Sequence, residues 1–271
     1  VWVDADVGTA TDDYVGCDVQ RGLGYSYNGD AVDEPSSSSQ GYGENPPAVG
    51  IDFFEGPYQD ADSIDNPLTT NFSNAVDSLG IPYEGIGIGY GDGVVDNERF
   101  GMRRFVYYNN SGNQINGEPS TPLHFYNYMN GIWKNGQKMA YGGDGVSAAT
   151  GANLDIEADY MFPGDTDPFN WGTGGTNAEP WTEVTSNNPP ADRRFIQAAG
   201  PFTLEPGDYN NITMGVVWAR ATAGDPEESV KLMRIADDKA QALFDNCFEI
   251  VSGPDAPDVT VQELENELIL Y

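Results

Sequence analysis

The chain has 271 residues, and its 43 acidic residues outnumber its 12 basic residues, which gives a formal net charge of −31. This charge repels phosphate backbones and anionic lipids, so it argues against binding to nucleic acid or to a membrane surface. The composition includes 33 glycines, 18 prolines and 15 tyrosines, which is typical of a loop-rich β protein rather than a helical bundle. No apolar run has the length that direct membrane insertion requires.

The segment 1–19 concentrates carboxylates between apolar residues. Asp4 and Asp6 are two residues apart, so in an extended chain both side chains project from the same side. Calcium binds about six to eight oxygen ligands and tolerates irregular geometry, which suits such a segment. We therefore expect a structural calcium site here, with the candidate ligands Asp4, Asp6, Asp12, Asp13 and Asp18. The alternative is a solvated acidic turn in which the aspartates cap the local backbone.

Two later segments carry further candidate metal ligands. The stretch 89–98 resembles the second half of an EF-hand or dockerin-type calcium loop, but Arg99 stands where the closing acid is needed, so a complete loop is excluded. Two alternatives remain for this stretch, a looser calcium site or an Asp-Gly turn. The second segment is PGDTDP at 163–168. The candidate ligands in these segments are Asp92, Asp96, Asp165 and Asp167.

Apolar patterning predicts strands at 23–27, 48–54, 103–108 and 212–219. The last strand is strongly apolar, and we expect it to be central and to form a hairpin with the segment after Arg194, around the Pro206-Gly207 turn.

Two helices are expected to pack on the sheets. The first covers about 121–134, where Thr121 can act as the N-cap and Pro122 takes the first helical position. The second covers about 226–247 and has apolar residues at intervals of three and four. The predicted fold class is therefore mainly β, a β-sandwich-like domain with long loops and two packed helices.

Cys17 and Cys247 are the only cysteines, and neither belongs to a zinc-binding pattern. A disulfide between them is one expectation, and it would fit an extracellular protein. Two buried free thiols are the alternative.

The predicted domain organisation is a β-rich extracellular domain over 1–252, either undivided or made of two subdomains, followed by a linker at 253–258. The segments 259–261 and 268–270 resemble the first two strands of a fibronectin type III-like domain. We therefore expect 259–271 to be the start of a truncated domain of this kind. The chain begins in an apolar stretch and ends in a predicted strand, so we expect it to belong to a longer polypeptide.

Five segments over most of the chain carry a family resemblance: DDYVGCD (12–18), NPPAVGIDFFEGP (45–57), DNERFGMRRFVYYNN (96–110), YMFPGDTDP (160–168) and ADRRFIQAAGPFTLEPGD (191–208). Together they resemble the large secreted surface proteins of Bacteroidota that are exported by type IX secretion. The resemblance implies an extracellular or cell-surface location and β-sandwich modules. It also implies O-glycosylation at Asp-Ser-apolar sites, which here are Ser63 and Ser78.

Two functional hypotheses follow. The first is a non-catalytic, calcium-stabilised module of a large bacterial surface or adhesion protein, with other domains of the same polypeptide, surface glycans or cell-surface proteins as partners. The second is a carbohydrate-binding module or glycoside hydrolase component, because aromatic side chains can stack on sugars and paired carboxylates can cleave them. The candidate stacking residues are Trp133, Trp171, Trp181 and Tyr160. A serine or cysteine hydrolase is disfavoured because His124 is the only histidine and no G-x-S-x-G motif accompanies it.

Overall fold

The computed structural model describes residues 1–83 and 87–249 and, beyond them, the backbone of two strands at 261–264 and 267–270. The strands are β1 (Trp2–Val3), β2 (Asp13–Asp18), β3 (Leu23–Asn28), β4 (Val32–Asp33), β5 (Gly43–Glu44), β6 (Ala48–Glu55), β7 (Arg104–Asn109), β8 (Ala140–Tyr141), β9 (Asn153–Glu157), β10 (Arg193–Ala198), β11 (Thr213–Ala219), β12 (Val261–Leu264) and β13 (Glu267–Leu270). The α-helices are α1 (Pro122–Met129) and α2 (Pro226–Asp245). Short 3₁₀ helices lie at Ala10–Asp12, Phe72–Asn74, Ala148–Thr150 and Trp171–Thr173.

Two antiparallel sheets form the centre of the fold. The larger sheet has the strand order β11-β6-β3-β2, and the smaller sheet has the order β1-β10-β7. Gly24 of β3 marks their contact, because an added Cβ there would lie 2.7 Å from Phe105 and 2.9 Å from Phe195 in the smaller sheet. The sheets therefore pack face to face, and the predicted mainly β, sandwich-like fold is confirmed.

Helix α2 covers the other face of the larger sheet. Its buried residues Val230 and Met233 join a core cluster with Leu23 and Val217, as the intervals of three and four predict. The helix ends at Asp245, two residues before the predicted end. Cys247 beyond it has a positive φ of 52°, which α-helical geometry does not allow.

Helix α1 begins where the sequence predicts. The Thr121 side chain accepts a hydrogen bond from the His124 amide at 3.3 Å, and Pro122 takes the first position. The helix ends at Met129 rather than near 134, because Gly131 adopts a left-handed conformation with φ 67°. Tyr128 is buried and stacks on Tyr108 of the smaller sheet with ring centroids 5.4 Å apart.

The expected hairpin around Pro206-Gly207 is wrong. Strand β10 belongs to the smaller sheet and β11 to the larger sheet, so the connection between them crosses from one sheet to the other. Strand β11 also lies at the edge of its sheet rather than at the centre, and its alternate residues Met214, Val216 and Trp218 are exposed. The apolar run at 212–219 does not distinguish a central strand from an edge strand that is covered on one face.

At the C-terminal end, β12 and β13 pair antiparallel. Strands are therefore present where the sequence predicts them, while the fibronectin type III-like character of 259–271 stays a prediction. The predicted linker at 253–258 lies outside the described residues. Within the described part of the chain, neither helix combines the length and the apolar character needed to cross a bilayer.

Candidate metal centre

Unsatisfied oxygen atoms gather at the start of β2 and the end of β3. Asp13 and Asn28 face each other across this strand pair, and both are fully buried. Asp13 Oδ2 accepts a hydrogen bond from the Val7 amide at 3.1 Å, and Asn28 Nδ2 donates to the Asp30 carbonyl at 3.1 Å. Oδ1 of Asp13 and Oδ1 of Asn28 have no donor among the described residues. Directly opposed residues have Cβ atoms about 4.5–5.5 Å apart, so the two side chains are neighbours on the same face of the sheet.

Asp12 extends this group. It ends the 3₁₀ helix before β2, and its carbonyl oxygen accepts a hydrogen bond from the Gly29 amide at 2.6 Å, which holds it beside the end of β3. A Cβ at Gly29 would lie 2.8 Å from that same oxygen, so a glycine permits the approach. Oδ1 of Asp12 is buried and also lacks a donor in the described structure. Buried acceptors without donors are rare in folded proteins and suit the coordination of a hard cation.

The charge of this group has no compensation from the described side chains. Burial first, and then the charges of Asp12, Asp6 and Asp33, raise the pKa of Asp13 to about 8, although the hydrogen bond from the Val7 amide lowers it. The pKa of Asp12 is raised to about 6, first by burial and then by the charge of Asp33. None of the ion pairs between described residues includes Asp12 or Asp13. A bound cation would relieve this electrostatic cost.

A second acidic cluster lies at the surface and consists of Asp4, Asp6 and Asp192. One carboxylate oxygen of each residue lies within 4.8 Å of the other two. Arg194 reaches this cluster, because its Nε lies 2.9 Å from Asp4 Oδ1 and 3.7 Å from Asp192 Oδ1. The guanidinium compensates part of the negative charge. The exposed cluster is therefore a weaker candidate metal site than the buried group.

Sequence reasoning found part of each cluster. The expected closeness of Asp4 and Asp6 is confirmed, and Asp12 and Asp13 both belong to the buried group. Asp192 and Asn28 were not among the candidates. The signal for Asp192 was its place just before the strand that begins at Arg193, and the signal for Asn28 was its place at the end of a strand that could pair with β2.

The prediction that Asp18 is a metal ligand is wrong. Asp18 is buried, and its Oδ2 lies 2.9 Å from Arg21 Nη1 and 3.0 Å from Arg234 Nε. Side chains alternate along β2, so Asp18 points towards α2 while Asp13 points to the opposite face. The five clustered acids therefore do not converge on one ion.

Three of the four acids in the two later segments accept hydrogen bonds from backbone amides. Asp92 accepts a hydrogen bond from the Val94 amide at 2.8 Å, and Asp96 accepts one from the Ser63 amide at 2.8 Å. Asp167 binds the amides of the short helix at Trp171–Thr173 with both carboxylate oxygens. Asp165 is exposed and lines a cavity of about 180 Å³ with Asp167. Among the described residues these four acids form no cluster of three potential ligands.

The proposed glycan-stacking residues are core residues. All four belong to the largest core cluster and are at most 3% exposed, and they are Trp133, Trp171, Trp181 and Tyr160. Three of them donate hydrogen bonds to backbone carbonyls inside the core, and these are Trp133 to Gly145, Tyr160 to Met102 and Trp181 to Gly143. A buried ring cannot present its face to a sugar. The stacking prediction is therefore wrong.

The expected disulfide is also wrong. Cys17 and Cys247 are free thiols. Cys17 is buried and shares the face of Gly24, which packs on the smaller sheet, whereas α2 leads Cys247 along the opposite face to an exposed position. The alternative of buried free thiols holds for Cys17 alone.

Ser63 and Ser78 are both exposed. They lie near each other because Asp62, the residue before Ser63, accepts a hydrogen bond from the Ser78 amide at 3.0 Å. O-glycosylation at these two serines stays a prediction.

Comparisons with protein-family models, with curated proteins and with solved structures found no match to this chain.

Proposed function

We propose that this chain is a non-catalytic, calcium-stabilised module of a large extracellular bacterial surface protein. The observation that supports the proposal is the group of Asp12, Asp13 and Asn28, whose buried oxygen atoms lack donors among the described residues. Calcium binds carboxylate and amide oxygens at about 2.3–2.6 Å and completes its shell with carbonyl oxygens and water. Extracellular modules bind calcium with dissociation constants of about 10⁻⁴–10⁻³ M, which suits the calcium level outside cells.

Calcium would act as a folding ligand. In the unfolded chain these oxygen atoms are solvated and Asn28 is not held beside Asp12 and Asp13, so the ion binds the folded state preferentially and stabilises it by mass action. With a dissociation constant of about 10⁻⁴ M, calcium at about fifty times that concentration adds about 2 kcal/mol. For a chain of this size, that corresponds to a rise of about 4–8 °C in the unfolding midpoint.

The partners that fit this role are other domains of the same polypeptide, with surface glycans or cell-surface proteins as further candidates. The net charge of −31 disfavours nucleic acid and anionic lipid as partners.

Thermal unfolding tests the proposal. The protein is stripped with EDTA and then melted with millimolar calcium or with millimolar magnesium, the smaller ion that demands stricter octahedral geometry. We expect calcium to raise the midpoint and magnesium to raise it less. Asp13→Asn should remove the calcium response, whereas Asp155→Asn, which changes an exposed acid, should keep it.

Two results would contradict the proposal or its site. Equal responses to calcium and magnesium in the wild-type protein, or no response to either, would mean that the acids form only a solvated surface. A calcium response that survives Asp13→Asn but is lost when Asp4 and Asp6 are both changed to Asn would move the ion to the surface cluster.

A further inference from the structure

A cavity of about 450 Å³ lies between α2 and the larger sheet. Asp52 of β6 and Asp237 of α2 line it, and each is only 1% exposed. The apolar part of the cavity wall consists of Phe53, Phe54 and Phe100. Small-molecule sites have volumes of about 300–1,000 Å³ and combine apolar walls with a few placed polar groups, so this cavity has the features of a ligand site.

The sheet register determines which acids lie under α2. Asp18, Leu23 and Asp52 are paired across β2, β3 and β6, so their side chains point to the same face of the larger sheet. Neighbouring strands are about 4.8 Å apart, which places Asp18 and Asp52 about 10 Å apart at their Cα atoms. Asp237 approaches this row from the helix. Three buried carboxylates thus share one interface.

Only one of these three carboxylates, Asp18, forms ion pairs between described residues. Arg21 Nη1 and Arg234 Nε lie 2.9 Å and 3.0 Å from Asp18 Oδ2. Asp52 and Asp237 take part in none of the ion pairs between described residues. Oδ1 of each is buried and has no hydrogen-bond donor in the same set of residues. Arg21 also lines the cavity, but its ion pairs are with Asp18 and Asp238. The two buried acceptors of Asp52 and Asp237 therefore have no ion-pair partner among the described residues.

The acid–base properties of the two residues agree with this geometry. Burial first, and then the charges of Asp237 and Asp18, raise the pKa of Asp52 to about 8. Burial likewise raises the pKa of Asp237 to about 7, although the charge of Arg21 lowers it. Ionisation of either group near neutral pH is unfavourable unless a cation enters the cavity.

We propose that this cavity binds a small organic cation, a primary alkylamine whose ammonium group donates hydrogen bonds to Oδ1 of Asp52 and Oδ1 of Asp237. An ammonium group has three donors and no acceptor, which complements carboxylate oxygens that lack donors. Its alkyl chain packs against the phenylalanine wall, where removal from water adds to the affinity. Asp245 also lines the cavity and adds to the negative potential that attracts a cation, whereas Asp238 is compensated by Arg21 at 2.8 Å.

A divalent metal ion fits this cavity less well. Calcium needs about six to eight oxygen ligands, and the protein supplies most of them in a structural site. Among the described residues, three acids converge within 4.8 Å only at Asp4, Asp6 and Asp192, which are not part of this cavity. The third buried acid under α2, Asp18, is already compensated by arginines.

Calorimetric titration with n-butylamine at physiological ionic strength tests the proposal, because salt screens attraction to the exposed acids. Two comparison ligands separate the contributions of the N–H donors, the charge and the alkyl chain to binding. Tetramethylammonium has the charge without N–H donors, and 1-butanol has the alkyl chain without the charge. We expect n-butylamine to bind at one site and both comparison ligands to bind about tenfold more weakly or worse, as loss of hydrogen bonds to charged groups predicts.

Variants identify the site. Asp52→Asn and Asp237→Asn should each weaken n-butylamine binding about tenfold or more, because each removes one charged acceptor. Both substitutions keep the side-chain shape and remove a buried charge, and a melting curve at or above that of the wild-type protein would verify folding. Asp155→Asn removes an exposed acid and should leave the affinity unchanged.

Three results would overturn the proposal. The first is no saturable binding of n-butylamine to the wild-type protein. The second is unchanged binding in both cavity variants, which would indicate general attraction to an acidic surface. The third is saturable calcium binding that is lost in Asp52→Asn, which would assign the cavity to a metal ion. Neither cavity acid belongs to the Asp12, Asp13 and Asn28 group, so this test and the calcium test can fail independently.

Discussion

Glu183 and Arg193 form a buried ion pair between a loop and the smaller sheet. Arg193 Nη2 lies 2.7 Å from Glu183 Oε2, and Arg193 Nε donates to Glu183 Oε1 at 3.1 Å. The same Oε1 accepts a hydrogen bond from the Val15 amide of β2 at 3.1 Å. One carboxylate therefore connects the segment after Trp181 to both sheets of the sandwich.

Glu183→Ala is expected to lower the free energy of unfolding by about 3–5 kcal/mol, because it leaves the Arg193 charge buried without its partner. Glu183→Gln should cost less, since an amide oxygen can still accept from Val15. Denaturant unfolding measures both values, and Glu179→Ala, an exposed acid in the same segment, is the control. Equal stability of Glu183→Ala and Glu179→Ala would contradict the role of the pair.

Asp52 should make the stability of the protein depend on pH. Its pKa is raised by burial to about 8 in the folded protein, whereas it is about 3.9 in an unfolded chain. The folded protein then holds a proton that the unfolded chain releases. The stabilisation linked to Asp52 is therefore complete below about pH 4 and is lost as the pH rises through about 8. Asp237 and Asp18 add to the raised pKa, and Arg21 opposes it.

The variant Asp52→Asn isolates this contribution. In EDTA and without added amine, its stability relative to the wild-type protein should grow by about 3–4 kcal/mol between about pH 5 and about pH 8. Urea unfolding at several pH values measures the difference, and subtraction removes the titration of the many other acids. A difference that stays constant over this range would mean that Asp52 titrates normally.

Asn28→Ala separates a calcium ligand from a structural hydrogen bond. The variant loses the side-chain oxygen that faces Asp13 and also the hydrogen bond from Nδ2 to Asp30. Loss of the hydrogen bond should cost about 1 kcal/mol with or without calcium. Loss of an ion ligand should make the cost larger in calcium than in EDTA. Equal costs in both conditions, from denaturant unfolding, would remove Asn28 from the proposed site.

Gly24→Ala tests the face-to-face packing of the two sheets. The added methyl group would lie 2.7 Å from Phe105 and 2.9 Å from Phe195, so the rings or the strands must move. We expect a loss of about 1–3 kcal/mol in the free energy of unfolding. Gly112→Ala is the matched control, because nothing lies within 4 Å of an added Cβ there. A neutral Gly24→Ala variant would contradict the close approach.

Local features of the fold were predicted from the sequence, whereas long-range features were not. The strands at 23–27, 48–54 and 103–108 and the capped start of α1 were predicted because side-chain alternation and capping depend on residues a few positions apart. The sheet to which β10 and β11 belong was not predicted. An apolar strand has the same local pattern in either sheet, and packing against the rest of the chain selects one.

Residues of the same type have different roles in this protein, and tertiary contacts decide which role each residue has. Asp18 is paired with Arg234, far along the chain, whereas Asp13 faces Asn28 and Asp52 lines a cavity. The aromatic residue Trp133 could serve a core or a sugar platform equally well from its sequence context. Burial is a property of the whole packed structure, and in this structure the ring lies in the core.

The sequence by itself determined the mainly β character, the positions of most strands and helices, and an acid-rich N-terminal segment with Asp4, Asp6, Asp12 and Asp13 as candidate ligands. Only the tertiary structure decided which carboxylates have arginine partners and which are buried without them. The physical reason is distance. Propensity, alternation and capping act over a few residues, whereas the desolvation and charge pairing that define a site arise when segments far apart in sequence are packed together.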